Sequence, residues 1–225
     1  MLVKNWMSKT VITIDVNNSL QGAMKLLKEH NIRMLPVLKR DKLVGIVTDR
    51  DTKRASASDA TTLEVHELLY LISKIKVQDI MTKNPITVSF DSTVEETAAV
   101  LLKEKISGAP VVDREGQVVG TITQTDLFKV LISLTGIGQR GVQFAFQVED
   151  RPDLIKEVAD VIRGYGGRIL SILSTYENVP VGYRKVYIRV YGIDRTDLPE
   201  LKDDLSKDAI ILYIIDHCEG TREVY

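Results

Sequence analysis

The stretch WMSKTVITIDVNNSLQGAMKLLKEHNIRMLPVL, residues 6–38, returns 74 positions later as IMTKNPITVSFDSTVEETAAVLLKEKISGAPVV, residues 80–112. Beyond it the offset becomes 75, because the turn DREGQ has one residue more than the turn KRDK. Gly45 then pairs with Gly120, and Asp51 pairs with Asp126. A duplicated segment of this length indicates a recurring supersecondary unit. We expect this repeat to organise residues 1–135.

Each copy is predicted to form a β-α-β-β-α unit. Asn18 or Ser19 in the first copy, and Ser92 or Thr93 in the second, can cap an amphipathic helix. The runs MLPVL and LVGIVT, like APVV and VVGTIT, are short, β-branched and separated by polar turns, which indicates a hairpin of buried strands. Between the copies, LEVHELLYLISKI at residues 63–75 is predicted to form an inserted helix.

The bulk properties favour an ordinary globular protein of two or three small domains. The 225 residues are 44% hydrophobic and 27% charged, and the net charge of −1 disfavours nucleic-acid and anionic membrane partners. The longest apolar run, residues 210–215, is far shorter than the roughly 20 residues that cross a bilayer. The N-terminal residues lack the apolar stretch of a secretion signal, and Cys218 is the single cysteine. We therefore expect a cytoplasmic protein.

The segments GIVTDRD (residues 45–51) and GTITQTD (residues 120–126) share a Gly-h-h-Thr-x-x-Asp pattern, where h is hydrophobic, at the point where a strand leads into a helix. A carboxylate accepts hydrogen bonds from two vicinal hydroxyls, which suits a ribose, and the free N–H groups of a helix start favour a phosphate. Alternatively, Thr48 and Thr123 are helix N-caps in an acidic variant of the capping box. The duplication favours a binding site, and capping and binding are compatible.

The repeat length, the segments IRMLPV and ISGAPV, and both Thr-x-x-Asp motifs resemble the CBS family. Its members occur as tandem pairs that bind adenosine derivatives in the clefts between two copies. The resemblance implies that Thr and Asp hold the ribose, that the residues before the second strand line the adenine or phosphate, and that the Thr of the first strand closes the pocket. The implied nucleotide-binding residues are Thr13, Arg33, Met34, Thr48, Asp51, Thr87, Ser107, Gly108, Thr123 and Asp126.

The two sites are predicted to differ, because Arg33 in the first copy corresponds to Ser107 in the second. Only a guanidinium can pair with a phosphate in a forked geometry. We expect the cleft with Arg33 to prefer phosphorylated ligands, the alternative being that Arg33 is a solvated charge on a turn. AMP, ADP, ATP and S-adenosylmethionine are all candidates for the regulatory ligand.

The segment GIGQRG, residues 136–141, satisfies the Gly-x-Gly-x-x-Gly pattern of dinucleotide-binding folds. That pattern binds a pyrophosphate only between a strand and a following helix. Here a predicted helix precedes it and the alternating strand at residues 142–148 follows it. We interpret the segment as a flexible glycine-rich linker.

From residue 142 the pattern predicts a ferredoxin-like βαββαβ domain, with two helices on one side of an antiparallel sheet. The segment DRPDL at residues 150–154 and the turn GGRI at residues 166–169 resemble the ACT family. Asp153 stands where that family has Gly, and Arg168 stands where it commonly has Asn, so pure dimerisation is an alternative to amino-acid binding. The implied ligand loop comprises Asp150, Arg151, Asp153, Leu154, Gly167 and Ile169.

The predicted architecture is α+β, a CBS pair followed by an ACT-like domain, and this layout resembles the acetoin-utilisation regulators of bacteria. The predicted segments are the first CBS repeat (1–58), an inserted helix and connector (59–76), the second CBS repeat (77–135), the linker (136–141), the ACT-like domain (142–218) and a C-terminal tail (219–225).

No residue set in the chain predicts catalysis. His30, His66 and His217 are scattered, and the motifs of nucleophilic, zinc-dependent and phosphate-loop enzymes are absent. Asp216-His217-Cys218-Glu219 is interpreted as a polar strand end, because adjacent strand residues point to opposite faces. We expect a regulatory homodimer with no catalytic cofactor, acting on a regulated enzyme. The alternatives are a structural dimerisation or scaffold module without a ligand, and a small enzyme with an unrecognised site.

Overall fold

A computed structural model describes residues 1–57 and 74–225 of the chain. His66 and most of the predicted inserted helix lie outside the described residues. The chain divides into two compact units, Met1–Phe128 and Lys129–Tyr225.

The first repeat has the predicted β-α-β-β-α order. Its elements are β1 (Ile14–Asp15), α1 (Leu20–Glu29), β2 (Met34–Lys39), β3 (Lys42–Thr48) and α2 (Asp49–Ala57). β1 is parallel to β2, and β2 is antiparallel to β3. Of the two candidate caps of α1, Ser19 performs the role: its hydroxyl accepts a hydrogen bond from the Gly22 N–H at 3.1 Å.

The second repeat has the same order, preceded by a short helix and strand. Its elements are α3 (Val77–Ile80), β4 (Thr82–Lys83), β5 (Val88–Ser89), α4 (Val94–Lys103), β6 (Gly108–Val112), β7 (Val118–Thr123) and α5 (Gln124–Thr135). Thr93 caps α4 in a full capping box with Glu96, through bonds of 3.1 and 2.7 Å.

The leading segment of each repeat is exchanged onto the sheet of the other repeat. β4 pairs antiparallel with β3, while the N–H of Ser8 donates to the Thr121 carbonyl at 2.9 Å. Val3 accordingly belongs to the core of the second repeat, and Val77 belongs to the core of the first. The repeat pattern did not predict this exchange, because each copy by itself has a complete β-α-β-β-α pattern.

Glycine makes the exchange possible. A Cβ on Gly120 would lie 2.5 Å from the Met7 sulfur and 2.9 Å from the Ser8 carbonyl oxygen. A Cβ on Gly45 would overlap the Met81 sulfur in the same way. The glycine of each Gly-h-h-Thr-x-x-Asp motif therefore admits the leading methionine of the other repeat.

The second unit contains the predicted βαββαβ order and one further strand. Its elements are β8 (Val142–Glu149), α6 (Leu154–Gly164), β9 (Arg168–Thr175), β10 (Tyr183–Tyr191), α7 (Leu198–Leu205), β11 (Ile210–Asp216) and β12 (Thr221–Val224). The sheet is antiparallel with the order β12-β11-β8-β10-β9. Buried residues of both helices share one core with Phe144, Phe146 and Ile188, so the helices cover the same face.

The prediction of a tail at residues 219–225 was wrong, because residues 221–224 form β12. This strand pairs antiparallel with β11, with Arg222 opposite Ile215, and so covers what would be an exposed edge. Gly220 makes the turn between them with a φ of +72°. An ion pair between Lys202 Nζ of α7 and Glu223 Oε2 of β12, at 2.9 Å, connects this strand to the helix.

The glycine segment at residues 136–141 lies between α5 and β8, in the predicted order of helix, turn and strand. Its interpretation as a flexible linker stays a prediction, and the structure gives the segment a defined turn conformation. Residues 137–139 form a 3-10 turn, Gly141 is buried, and the Gly141 carbonyl accepts a hydrogen bond from the His217 N–H at 2.9 Å. This segment belongs to the second compact unit.

The segment Asp216-His217-Cys218-Glu219 closes the turn after β11 around one carboxylate. Asp216 is 3% exposed and accepts hydrogen bonds from Arg195 and from the N–H groups of Cys218 and Glu219, at 2.5 to 3.3 Å. Burial by itself raises the pKa of Asp216, but these donors outweigh burial and hold the pKa below its usual value.

Asp216→Asn is expected to lower the stability of the second unit by about 2 kcal/mol at pH 7, since it leaves Arg195 unpaired. Because the folded pKa is depressed, the contribution of the carboxylate is present above about pH 3.9 and is lost as the pH falls through the folded value. Urea unfolding at pH 7 and between pH 5 and 3 measures this, with exposed Asp203→Asn as the control. A wild-type advantage that stays constant down to pH 3 would contradict the assignment.

Candidate functional site

Five of the predicted residues meet at one edge of the first repeat's sheet. Since β1 and β2 are parallel and β3 is antiparallel to both, the starts of β1 and β2 share an edge with the end of β3. Thr13 immediately precedes β1, and Met34 at the start of β2 is aligned with Thr48 at the end of β3. The Arg33 carbonyl accepts a hydrogen bond from the Asp49 N–H at 3.2 Å, which places Arg33 beside the start of α2.

The other five predicted residues meet at the equivalent edge of the second repeat. Thr87 precedes β5, and Gly108 is aligned with Thr123. The Ser107 carbonyl accepts from the Gln124 N–H at 2.9 Å, just as the Arg33 carbonyl accepts from Asp49. The structure therefore assembles each predicted set separately, at the start of α2 and at the start of α5.

Each motif forms the same closed pair of Thr and Asp. In the first repeat, the Thr48 hydroxyl and N–H donate to Asp51 Oδ2 at 2.6 and 3.0 Å, and the Asp51 N–H approaches Thr48 Oγ1 at 3.3 Å. In the second repeat, the corresponding distances between Thr123 and Asp126 are 2.7, 3.0 and 3.4 Å. These are the reciprocal bonds of a capping box, so the capping interpretation is realised in both copies.

Capping leaves the carboxylate able to bind a ligand. In the first repeat, Oδ2 of Asp51 is occupied by Thr48, whereas the one donor to Oδ1 among the described residues is Arg54 at 3.2 Å. The Arg54 side chain is 77% exposed, and the Asp51 side chain is 13% exposed. A polar ligand can displace an exposed surface arginine at little cost, because such pairs contribute little stability. Thr48 thus orients the Asp51 carboxylate, while Oδ1 of that carboxylate faces Arg54, which a ligand can replace.

The two edges differ in charge more than Arg33 alone predicted. Around Asp51 the first repeat carries Arg33, Arg50, Lys53 and Arg54 against one further acid, Asp49. At the equivalent positions the second repeat has Ser107, Thr125, Phe128, Lys129 and Gln124. The sequence signal that was missed is the set of basic residues that flank Asp51 in α2, of which Arg54 has the i,i+3 spacing that brings it to Asp51.

A cavity of about 390 Å³ lies at the opposite end of the first repeat's sheet. The described residues that line it are Val16, Lys39, Val44, Gln78, Asp79, Met81, Lys83 and Asn84, and none of these was predicted to bind a ligand. Val16, which lines the cavity, corresponds to the larger Phe90 in the second repeat. We assign the candidate site to the Thr–Asp edges, where the polar groups converge.

The residues of the predicted ACT ligand loop are largely engaged in structure. Arg151 forms a two-bond pair with Glu157, which raises the pKa of Arg151 and lowers that of Glu157. Leu154 is buried, Ile169 packs against the core, and a Cβ on Gly167 would meet Ile162 at 2.6 Å.

Asp153 and Asp150 remain at the surface of this loop. Asp153 has a φ of +65°, a conformation that glycine adopts without strain, and its side chain does not cap α6. Asp150 pairs with Arg184 at 3.4 Å.

Within residues 1–57 and 74–225, none of the helices combines the length and apolar content needed to span a bilayer. The same residues contain no cluster of three or more His, Cys, Asp or Glu side chains suited to a metal ion.

Two β-α-β-β-α repeats, each presenting a Thr–Asp pair at one edge of its sheet and exchanging leading segments, define a class of tandem-repeat modules. The chain belongs to the CBS domain family, whose model matches residues 3–58 and 77–133.

Relatives share this part of the chain. A CBS domain-containing protein of Dictyostelium discoideum is 37% identical over 59% of this chain and 92% of its own length. The L-aspartate semialdehyde sulfurtransferase of Methanocaldococcus jannaschii is 38% identical over 57% of this chain, but the match spans only 23% of that enzyme. The match to the enzyme is therefore confined to a minor part of its length.

Solved structures agree with the family assignment. The CBS domain pair of protein MJ0100, in complex with 5′-methylthioadenosine and S-adenosyl-L-methionine, is 37% identical, covers 58% of this chain and 99% of that chain, and gives a TM-score of 0.50. A proposed acetoin utilization protein from Vibrio cholerae is 26% identical, covers 62% of this chain and 96% of that chain, and gives a TM-score of 0.51.

Proposed function

We propose that this protein is a non-catalytic regulatory sensor that binds adenosine-containing ligands at the two Thr–Asp edges of its CBS pair. The observation that carries the proposal is the duplicated geometry, in which each threonine fixes one carboxylate oxygen within 2.6 to 2.7 Å. A carboxylate held in this way is preorganised to accept both hydroxyls of a ribose without losing side-chain entropy on binding.

The ligand-binding residues in this proposal are the ten that the sequence predicted. Thr48 with Asp51, and Thr123 with Asp126, hold the ribose, while Arg33 and Met34, or Ser107 and Gly108, contact the adenine or phosphate. Thr13 and Thr87 close the two pockets. The adenosine derivatives bound by the MJ0100 pair, which is 37% identical to this chain, support this ligand class.

The charge difference supports unequal ligands at the two edges. Besides Arg33, the first edge has three basic residues in α2, of which Arg54 contacts Asp51 at 3.2 Å, whereas the corresponding part of α5 has one lysine. Phosphate groups gain charge-assisted bonds from such a cluster, and the start of α2 adds free N–H groups. The first edge therefore prefers AMP, ADP or ATP, and the second edge tolerates the uncharged or cationic tail of methylthioadenosine or S-adenosylmethionine.

Titration calorimetry of the full chain with AMP, ADP, ATP, S-adenosylmethionine and methylthioadenosine tests the proposal. We expect two binding events, of which the one favouring phosphorylated ligands weakens with added salt. A ligand at 100 times its dissociation constant should also stabilise the folded chain by about 2.7 kcal/mol. Absence of binding by every member of the panel at millimolar concentration would reject the sensor function, and ligand turnover would reject its non-catalytic character.

The proposal also covers the role of the second unit, the oligomeric state and the metabolic role of the protein. The βαββαβ element order of residues 142–216 and the DRPDL segment support an ACT domain that dimerises the protein or binds an amino acid. We further propose a cytoplasmic homodimer that regulates a partner enzyme, in acetoin or related carbon metabolism. The likeness to the Vibrio cholerae protein supports that context. The proposed domain boundaries are residues 1–58 and 77–135 for the two CBS repeats, 59–76 for the connector, 136–141 for the linker and 142–218 for the ACT-like domain.

A structural scaffold without a ligand is the second candidate function. The observation in its favour is that both Thr–Asp pairs already form complete capping boxes. This candidate predicts that the two aspartates contribute to helix stability only, and the variants described in the Discussion distinguish it from the sensor.

A further inference from the structure

Arg189 lies in the second unit, on the sheet face opposite α6 and α7. It is aligned with Gln143 of β8 and Ser171 of β9, one position away from the core residues Ile188 and Val190. Because side chains alternate across a strand, Arg189 points away from the helix-covered core. It is nevertheless only 3% exposed.

No carboxylate of residues 1–57 or 74–225 pairs with the buried guanidinium of Arg189. Nε donates to the Thr135 carbonyl at 2.7 Å, and Nη2 donates to Gln143 Oε1 at 2.9 Å, so both partners are neutral. Nη1 is buried and has no hydrogen-bond partner among the described residues. Burial lowers the pKa of Arg189, and the group cannot escape its charge by deprotonating at neutral pH. An uncompensated buried cation is costly, which makes this position a strong attractor for an anion.

Two further polar groups adjoin this arginine. Gln143 Nε2 donates to the Tyr213 hydroxyl at 3.3 Å, so Gln143 links Tyr213 to Arg189 and leaves the Tyr213 proton to point elsewhere. His217 Nε2 is also buried and has no partner within the described part of the chain. Burial, followed by the positive charges of Arg189 and Arg222, lowers the pKa of His217 despite the opposing effect of Asp216.

We propose that Arg189, Tyr213 and His217 form a binding site for the carboxylate of a small monocarboxylic acid. The single full positive charge of Arg189 matches a monoanion, whereas a doubly charged phosphate would remain undercompensated. Ala145 and Ile215 occupy the same face and provide an apolar surface for a short carbon chain. This site is distinct from the Thr–Asp edges and from the loop at residues 150–154.

The segment that follows α5 closes the site. The Thr135 carbonyl accepts the hydrogen bond from Arg189 Nε, and a Cβ on Gly136 would lie 3.6 Å from Arg189 Cδ. Positive φ angles at Gly136, Arg140 and Gly141 give this segment a conformation distinct from the strand it precedes. Binding therefore requires this segment to move away from the guanidinium, so that the carboxylate replaces the neutral Thr135 carbonyl as its partner.

The test is NMR titration of the full chain, labelled at histidine, with sodium acetate and sodium isobutyrate as probes. Inorganic phosphate and sodium chloride at equal ionic strength are compared, and His217→Gln assigns the resonance. Monocarboxylate binding is expected to raise the pKa of His217 by about one unit, because the new negative charge favours the imidazolium. Isobutyrate is expected to bind more tightly than acetate, because its methyl groups bury apolar surface.

The variants separate a binding site from a structural arginine. Arg189→Gln should abolish the saturable response, whereas Arg163→Gln, which removes an exposed arginine of α6, should leave it unchanged. If Arg189→Gln does not fold, Tyr213→Phe provides the test. This variant loses the charge-assisted hydrogen bond from the Tyr213 hydroxyl to the bound carboxylate, which should weaken binding about tenfold. A response no larger than that of chloride, tighter binding of phosphate, or full affinity in Tyr213→Phe or Arg189→Gln would overturn the proposal.

Discussion

Replacing Asp51 with Asn will weaken nucleotide binding at the first repeat about 100-fold, because the ribose loses two charge-assisted hydrogen bonds. Asn retains the size of Asp and one oxygen that can accept the Thr48 N–H. Its amide nitrogen, however, turns a donor towards a ribose hydroxyl. Calorimetric titration with AMP should show one weakened site and one unchanged site.

Asp126→Asn should weaken the second site by a similar factor, and the double variant should retain neither site. Asp49→Asn is the matched control, because Asp49 also lies in the first turn of α2 but pairs with Lys53 at 3.3 Å. Its affinity for AMP should not fall below that of the wild type, since the exposed pair contributes little and the change removes an acid rather than a ribose partner.

Unfolding measurements on the same variants separate the sensor from the scaffold. Loss of a capping carboxylate costs about 1 kcal/mol of stability in either case. If the aspartates only cap helices, Asp51→Asn and Asp126→Asn will lower the stability of the protein by this amount. In that case the wild type itself will not bind nucleotides. Undiminished nucleotide binding in the double variant would show that the ligand is held elsewhere.

Gly141→Ala should destabilise the second unit by about 3 kcal/mol or more, through a steric clash and an unfavourable backbone conformation. Gly141 is buried with a φ of +85°, and a Cβ there would overlap the Val190 carbonyl oxygen and lie 3.5 Å from the Tyr191 Cα. These are backbone atoms of β10, so they cannot rotate aside as a side chain would. Relief of the clash would also strain the bond between the Gly141 carbonyl and the His217 N–H.

The same glycine segment supplies its own controls. A Cβ on Gly138 would meet no described atom within 4 Å, so Gly138→Ala should be neutral or slightly stabilising. Gly136→Ala should be intermediate, about 1 kcal/mol, because its φ is +64° but its nearest contact, Leu170 Cβ at 3.2 Å, is a side-chain atom. Urea unfolding followed by circular dichroism measures all three variants. Equal costs at positions 138 and 141 would refute this explanation.

Much of the local structure followed from the sequence because local signals carry it. The alternation and helical periods predicted the β-α-β-β-α order of both repeats and the βαββαβ order of the second unit. The capping positions were predicted to within one residue, and the structure selected Ser19 and Thr93. The ten candidate nucleotide residues were predicted as two sets, because each motif ends one strand and begins one helix.

The structural features that the sequence did not predict depend on contacts between residues that are distant in the chain. β12 has little apolar character, and it is a strand because β11 offers an unpaired edge. Arg189 resembles any charged residue in an alternating strand, and its burial depends on Thr135 and Gln143, which are 54 and 46 positions away. The start of α2 lies beside Arg33 because the Asp49 N–H bonds to the Arg33 carbonyl, a contact between residues 16 positions apart.

The amino-acid sequence by itself determined the duplication, the element order within each copy, and the presence of a hydroxyl and a carboxylate at equivalent strand ends. These properties depend on residue spacing along a single element, which the backbone periods impose. The tertiary structure alone decided that the leading segments are exchanged, that the two Thr–Asp pairs close into the same geometry, and that Arg189 is buried with no counter-charge among the described residues. Pairing and burial bring together atoms that are remote in the chain, and no local period encodes which strand edge or which neighbour a residue will meet.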